Sequence, residues 1–153
     1  MPVDDLTASI ELPVSGRRGF ELFVHDFGSW WPAEFSWSGA NLLVDVGIEA
    51  RIDGALYEIG PYGLRWDFGR VTSLDQPHSL GFTWQIGPDR VPVPDPDQAS
   101  DVAVSFTPNA DGGCQVTVVH RGWDRHGEQA ATYRENFAQA WPYALQRLTE
   151  YAG

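Results

Sequence analysis

His120 is the side chain best placed for chemistry in this 153-residue chain. It follows Val116 and Val118 at two-residue steps, and strand alternation puts it on their apolar face. An imidazole in apolar surroundings suits acid–base work or the anchoring of a ligand's polar group. The plainer expectation is a hydrogen-bonded histidine at the sheet edge. His25 and Asp26 adjoin Trp30 and Trp31 and are read as local caps, and His78 and His126 lie in turn contexts and read as exposed. Cys114 opens a strand after Asp111-Gly112-Gly113 with no basic neighbour, which points to a structural thiol. Arg65, Arg70 and Arg121 are candidates for an anionic group, although Arg65 alternates outward with Asp67. Glu58 and Asp67 are candidate buried carboxylates without paired geometry. No HExxH, GxSxG, P-loop or GxGxxG string is present. No catalytic residue, metal ligand or cofactor is therefore assigned.

The seven tryptophans offer a different chemistry. Indole rings bury a large apolar area and keep one directional N–H donor. Each alone reads more simply as core. Together with the phenylalanines on inward faces they give the ligand-lining candidates Trp30, Trp66, Phe68, Phe82, Trp84, Phe106, Phe137 and Trp141, with His120 as the polar member.

The element that must position these residues is the last stretch, from about Glu128 to Tyr151. Ala130, Tyr133, Phe137, Ala140, Trp141, Ala144, Leu148 and Tyr151 recur mostly at steps of three or four, the stripe of an amphipathic helix. Such a helix is roughly 35 Å long. Pro142 falls inside it and predicts a kink near Ala138–Pro142 or a restart there. Leu6–Leu12 alternates as a strand. Ser15 is the expected N-cap of a short helix carrying Phe20, Phe23 and Val24, which Gly16 and Gly19 weaken. A second helical turn ends at Pro32. Further strands are expected over Leu42–Val46, Ile48–Ile52, Ala55–Ile59, Leu64–Ser73, Ser79–Ile86, Val102–Thr107 and Gln115–Arg121, separated by Gly, Pro, Asn and Asp turns. Leu64, Trp66 and Phe68 share one face, as do Leu80, Phe82, Trp84 and Ile86, and Val102, Val104 and Phe106. Arg65, Asp67, Thr83, Gln85, Ser105 and Thr117 face outward. The proline-rich segment Gly87–Gln98 forbids a central strand and is expected to be a lid, a docking segment or a solvated connection.

The order of elements predicts one α+β domain over residues 1–153: a curved antiparallel sheet of about six to seven strands around a long C-terminal helix, with two short helices after the first strand. The formal net charge of −11 disfavours nucleic acid and anionic membranes as partners. The acidic N-terminus lacks an apolar signal core, so a cytoplasmic protein is expected.

This order resembles the START-like (SRPBCC, helix-grip) superfamily. Phe20-Glu21-Leu22-Phe23, Trp30-Trp31-Pro32, Trp66 with Gly69-Arg70-Val71, Pro77-His78-Ser79-Leu80-Gly81-Phe82-Thr83-Trp84, Val104-Ser105-Phe106-Thr107-Pro108, Val116-Thr117-Val118-Val119-His120-Arg121-Gly122-Trp123 and the late Trp141 are similar to one subgroup. That subgroup is the activator-of-heat-shock-protein-90-ATPase homologue (AHSA-type) family. The resemblance implies a helix-grip fold with a hydrophobic pocket. The leading expectation is a binding protein for a small hydrophobic or aromatic molecule, as a monomer or homodimer. A protein-interaction module with a chaperone-associated or regulatory partner is the second. A cyclase- or hydrolase-like enzyme using His120 or a buried carboxylate as base is the third.

Overall fold

A computed structural model describes residues 3–153. Seven strands form one antiparallel sheet: β1 (Leu6–Leu12), β2 (Asp45–Ile48), β3 (Ala55–Ile59), β4 (Arg65–Asp75), β5 (Ser79–Trp84), β6 (Ser100–Pro108) and β7 (Cys114–Arg121). Their order is β1-β7-β6-β5-β4-β3-β2, so β1 and β2 are the edges and the chain meanders through the rest. Two short helices, α1 (Gly16–Val24) and α2 (Phe27–Trp30), follow β1, and α3 (Ala130–Ala152) closes the chain. The domain is the α+β helix grip that the element order predicts, a curled sheet with a long C-terminal helix.

Local chemistry explains most element boundaries. Ser15 caps α1, its Oγ accepting from the Arg18 N–H at 3.1 Å. Gly19, which lowers helix propensity, is there for packing. A Cβ at that position would stand 2.8 Å from Cys114 Sγ, so the missing side chain lets α1 lie close against β7. Trp31 is extended and Pro32 follows, which stops α2. Gly122, with φ of 78°, turns the chain out of β7.

Three expectations are corrected. The two strands expected over Leu42–Val46 and Ile48–Ile52 are one short edge strand, β2. Leu42, Val44 and Ile52 are exposed, because an edge has no further neighbour to bury them. Leu64 is exposed and lies before β4, where it ends the Pro61–Gly63 turn. Thr83 and Gln85 are buried although alternation points them outward. The Gly87–Gln98 segment explains this. The Val93 N–H donates to the Gln85 carbonyl at 2.9 Å, and Gln85 Nε2 donates to the carbonyls of Val93 and Pro94 at 3.1 and 3.2 Å. Val93 and Pro94 therefore hold Gln85 just past β5, and its Oε1 in turn accepts from the Thr83 hydroxyl at 2.7 Å. The segment's first part, Gly87–Arg90, borders the cleft described below.

α3 is continuous through Pro142 and does not restart there. Its buried residues are Ala130, Tyr133, Trp141, Ala144, Leu145 and Leu148. Leu145 thus joins the stripe, while Tyr151 is exposed. The Arg134 guanidinium donates to the carbonyls of Asp4 and Asp5 at 2.7 and 3.0 Å, tying α3 to the start of the chain. No helix among the described residues is long and apolar enough to cross a membrane.

Candidate functional site

His120 sits near the end of β7, fully buried, where its ring stacks on Trp123 with centroids 3.8 Å apart. Trp141 on α3 donates from Nε1 to His120 Nδ1 at 3.1 Å. An indole can only donate, so Nδ1 is the accepting nitrogen and the neutral ring carries its proton on Nε2. That Nε2–H faces Ser100 Oγ at 2.7 Å, and Ser100 Oγ is also 2.7 Å from His126 Nε2. The Ser100 hydroxyl has one proton, which then goes to His126. The result is a directed chain: Trp141 to His120 to Ser100 to His126. Burial holds the His120 pKa well below the usual histidine value, and the neighbouring His126 adds to this. Burial and the Arg125 charge lower His126 to about 4. Both rings are neutral at pH 7. With both nitrogens engaged and the ring sealed by aromatics, His120 orients Trp141 and Ser100.

A second polar pairing joins α3 to β5. Trp84 Nε1 donates to the Tyr133 hydroxyl at 3.0 Å, and that hydroxyl donates to the Ile86 carbonyl. Burial raises the Tyr133 pKa above the usual phenol value, so the group stays a neutral hydrogen-bonding post.

Between these two pairings and the surface opens a cleft of about 610 Å³. One wall is the first half of α3, with Gln129, Thr132, Tyr133, Asn136, Phe137 and Ala140. The other is Trp84 at the end of β5 and the exit from Ile86 to Arg90, with Trp31 and Phe35 closing one side. Five of the lining residues are aromatic: Trp31, Phe35, Trp84, Tyr133 and Phe137. The size is that of a small-molecule site. Its charged lining residues are Asp89 and Arg90, and it has no histidine or cysteine wall. Such a surface can stack and hydrogen-bond a ligand. Among the described residues no group of three or more His, Cys, Asp or Glu side chains could hold a metal ion.

The residues singled out by sequence are spread over three places. Trp84 and Phe137 line this cleft. Trp30, Phe82, Phe106, His120 and Trp141 are buried in packed core and do not border it, although the His120 ring lies 5.1 Å from that of Phe137. Phe68 is buried with them, against Trp84 at 5.7 Å. Trp66 lies in a separate cleft of about 520 Å³ with Trp37, Leu42 and Leu64. Glu58 is the buried carboxylate there. It accepts from the N–H groups of Trp37 and Ser38 and from the Ser38 hydroxyl at 2.8 to 3.0 Å, which fixes the loop carrying Trp37. His126, read as exposed, is partly buried beneath Tyr133 and bonded to Ser100. Sequence reasoning missed Thr132 and Asn136. They flank Tyr133 and Phe137 at helical spacing, a signal that was available. The proline-rich break at Gly87–Gln98 was a candidate lid, and tertiary packing brings its Gly87–Arg90 part to the cleft.

Comparison with solved structures bears on this geometry. The anthrahydroquino-γ-pyrone synthase Txn09 is 29% identical, with a TM-score of 0.67 over 97% of both chains. The self-sacrificing resistance protein CalC from Micromonospora echinospora is 27% identical, with a TM-score of 0.65 over 97% of this chain and 93% of that one. Protein NE0264 from Nitrosomonas europaea, 17% identical with a TM-score of 0.65 over 99% and 97% of the two chains, shares the fold. Comparison with curated protein sequences gives no match. The family model for activator of Hsp90 ATPase homolog 1-like proteins matches residues 24–153, from the end of α1 through all of α3. Sheet, helix grip and matched span together place this chain in the activator of Hsp90 ATPase homolog 1-like family.

Proposed function

We propose that the protein binds a small, planar, largely apolar molecule in the cleft between α3 and the end of β5, as a cytoplasmic carrier or receptor. The observation that carries this reading is the convergence of five aromatic side chains on one cleft of about 610 Å³. Flat rings stack on such walls in offset or edge-to-face geometry, at about 0.5–1.5 kcal/mol per pair beyond the area they bury. The similarity to Txn09 supports an aromatic ligand, since that protein is named as a synthase of a ring-fused aromatic. It also gives the cyclase reading what support it has. The base once sought in His120 is committed to Trp141 and Ser100, so binding remains the better supported reading.

The test is titration of the protein into anthracene held at trace concentration, read by probe fluorescence. We expect saturable binding, weakened about tenfold by Phe137→Ala, which removes a half-buried wall of the cleft and deletes none of the core's hydrogen-bonding groups. Absence of saturable binding both of anthracene and of a hydroxylated anthraquinone would falsify the reading. A separate observation favours a second function. Trp37, Leu42 and Leu64 are 47, 58 and 71% exposed around Trp66, an apolar cluster of the kind that meets protein partners. Loss of a cross-linked partner on Trp37→Ser, with cleft binding intact, would establish it.

A further inference from the structure

We propose that the cleft selects a polyoxygenated fused-ring aromatic, whose oxygen-bearing edge is read by Gln129, Thr132 and Asn136 on α3 and by Arg90 opposite. This rests on the cleft being a ligand site and names the ligand's chemistry.

The cleft wall on α3 is divided lengthwise. Tyr133 and Phe137 form an apolar row, four residues apart. Thr132 and Asn136 run beside them at the same spacing, and Gln129 continues the polar row by one turn. All three polar side chains are exposed. Gln129 is the N-cap residue of α3, yet its side chain makes no capping bond. Its amide is therefore not engaged by the helix end and stays free for a ligand. From Gln129 to Asn136 the row spans about 10 Å along the axis. That is comparable with the long edge of a tricyclic aromatic. A pure hydrocarbon would use the apolar row alone and would desolvate the polar row without replacing its bonds to water. A ring system bearing hydroxyl or carbonyl oxygens along one edge would satisfy both rows at once.

The opposite rim carries a matching feature. Asp89 and Arg90 are consecutive non-glycine residues with φ of 59° and 61°, in the left-handed region that such residues rarely adopt. Strain of this kind persists where the surroundings over-determine it, and it concentrates at ligand clamps. Here Arg90 is pinned by its own guanidinium, which donates to the carbonyls of Ser36 and Glu34 at 3.2 Å each. The Gly87 N–H donates to the Val91 carbonyl at 2.6 Å and closes the turn behind it. A guanidinium has five N–H donors, so three remain on a side chain that borders the cleft. These donors suit phenolic or quinone oxygens. A phosphate or carboxylate fits less well, because Arg90 is the one cationic residue of the lining, Asp89 stands beside it and the chain carries a net charge of −11.

The experiment uses two probes with one ring skeleton, anthracene and 1,8-dihydroxyanthraquinone, each at trace concentration, with the full chain as titrant. The wild-type chain should bind the dihydroxyquinone at least about tenfold more tightly, the worth of one or two satisfied hydrogen bonds. The triple variant Gln129→Ala, Thr132→Ala, Asn136→Ala should lose that preference and bind anthracene at least as tightly as the wild type, because the polar row no longer has to be desolvated. Its three sites are exposed, so the fold is retained, and an unchanged circular dichroism spectrum checks this. Arg90→Gln should weaken the dihydroxyquinone several-fold and leave anthracene alone. Equal affinity of the wild type for both probes overturns the inference and leaves the cleft a generic aromatic site. So does a triple variant that loses both probes equally or neither. Failure of the wild type to bind either probe overturns the binding reading as well.

Discussion

At the scale of the residue, His120 shows how burial reassigns a functional group. Its position on an apolar face is legible in the alternation Val116, Val118, His120. Its role is set by Trp141 and Ser100, which lie on other elements. A neutral imidazole that accepts on one side and donates on the other is a structural joint between α3, β6 and β7. Removing the joint leaves buried donors without acceptors. Ser100→Ala strands the His120 Nε2–H and should cost about 1–3 kcal/mol. His120→Ala adds a cavity among Trp123, Phe137 and Trp141 and should cost more, roughly 3–5 kcal/mol. Urea denaturation midpoints measure both. Equal and negligible losses would show that the chain of hydrogen bonds contributes nothing net. The nine residues chosen from sequence were chosen by face. Face is a local property, and it identifies Trp84 and Phe137 as readily as Phe82 and Phe106. Which of them meets open space depends on how the sheet curls and where α3 crosses it.

At the scale of the element, α3 is the clearest case of sequence dictating structure. Its stripe, its polar face and its span follow from the period of 3.6. The register of its second half was legible less well, because Leu145 is buried where Tyr151 was expected. Pro142 is exposed and sits in a continuous helix, so the Ala138 carbonyl lacks its usual intrahelical donor. Pro142→Ala restores that donor but frees the unfolded chain, two effects of opposite sign. With interior-helix proline penalised by about 3 kcal/mol and the unfolded-state term worth about 1, we expect a net gain of about 1–2 kcal/mol. Thermal unfolding of the variant checks this, and a lowered melting temperature would show that the missing bond is compensated locally. The Gly87–Gln98 segment illustrates the converse. Its prolines announce irregular backbone. That Val93 and Pro94 would engage Gln85 follows from its long amide reaching two carbonyls, a tertiary contact with no signature in sequence spacing.

At the scale of the whole molecule, the buried histidines make stability depend on pH. In the unfolded chain a histidine titrates near 6.5. In the folded chain burial disfavours the charged form, which holds His126 at about 4 and His120 well below its usual value. Below pH 6.5 the unfolded state therefore binds more protons than the folded one, and acid favours unfolding. Stability from these groups is complete above about pH 6.5 and falls progressively toward pH 4. Urea midpoints at pH 7.0 and 4.5 measure the fall. His126→Gln should reduce it. A midpoint that rises on acidification would contradict neutral burial of the pair. The same acidic composition that keeps the net charge at −11 argues against polyanionic partners.

The sequence by itself determined the order of the elements, the apolar face of most strands, the long terminal helix and the family resemblance. Each rests on short-range periodicity, capping and turn chemistry, which the chain carries residue by residue. Tertiary structure alone decided that His120, Ser100 and His126 form one hydrogen-bonded line, that Trp66 and Trp84 face different clefts, and that Arg90 and Asn136 border the same one. The residues brought together lie 20 to 46 positions apart, counted from Ser100 to His120 and from Arg90 to Asn136. Their meeting depends on the curl of the sheet and on close packing in the core. No local pattern encodes either of them.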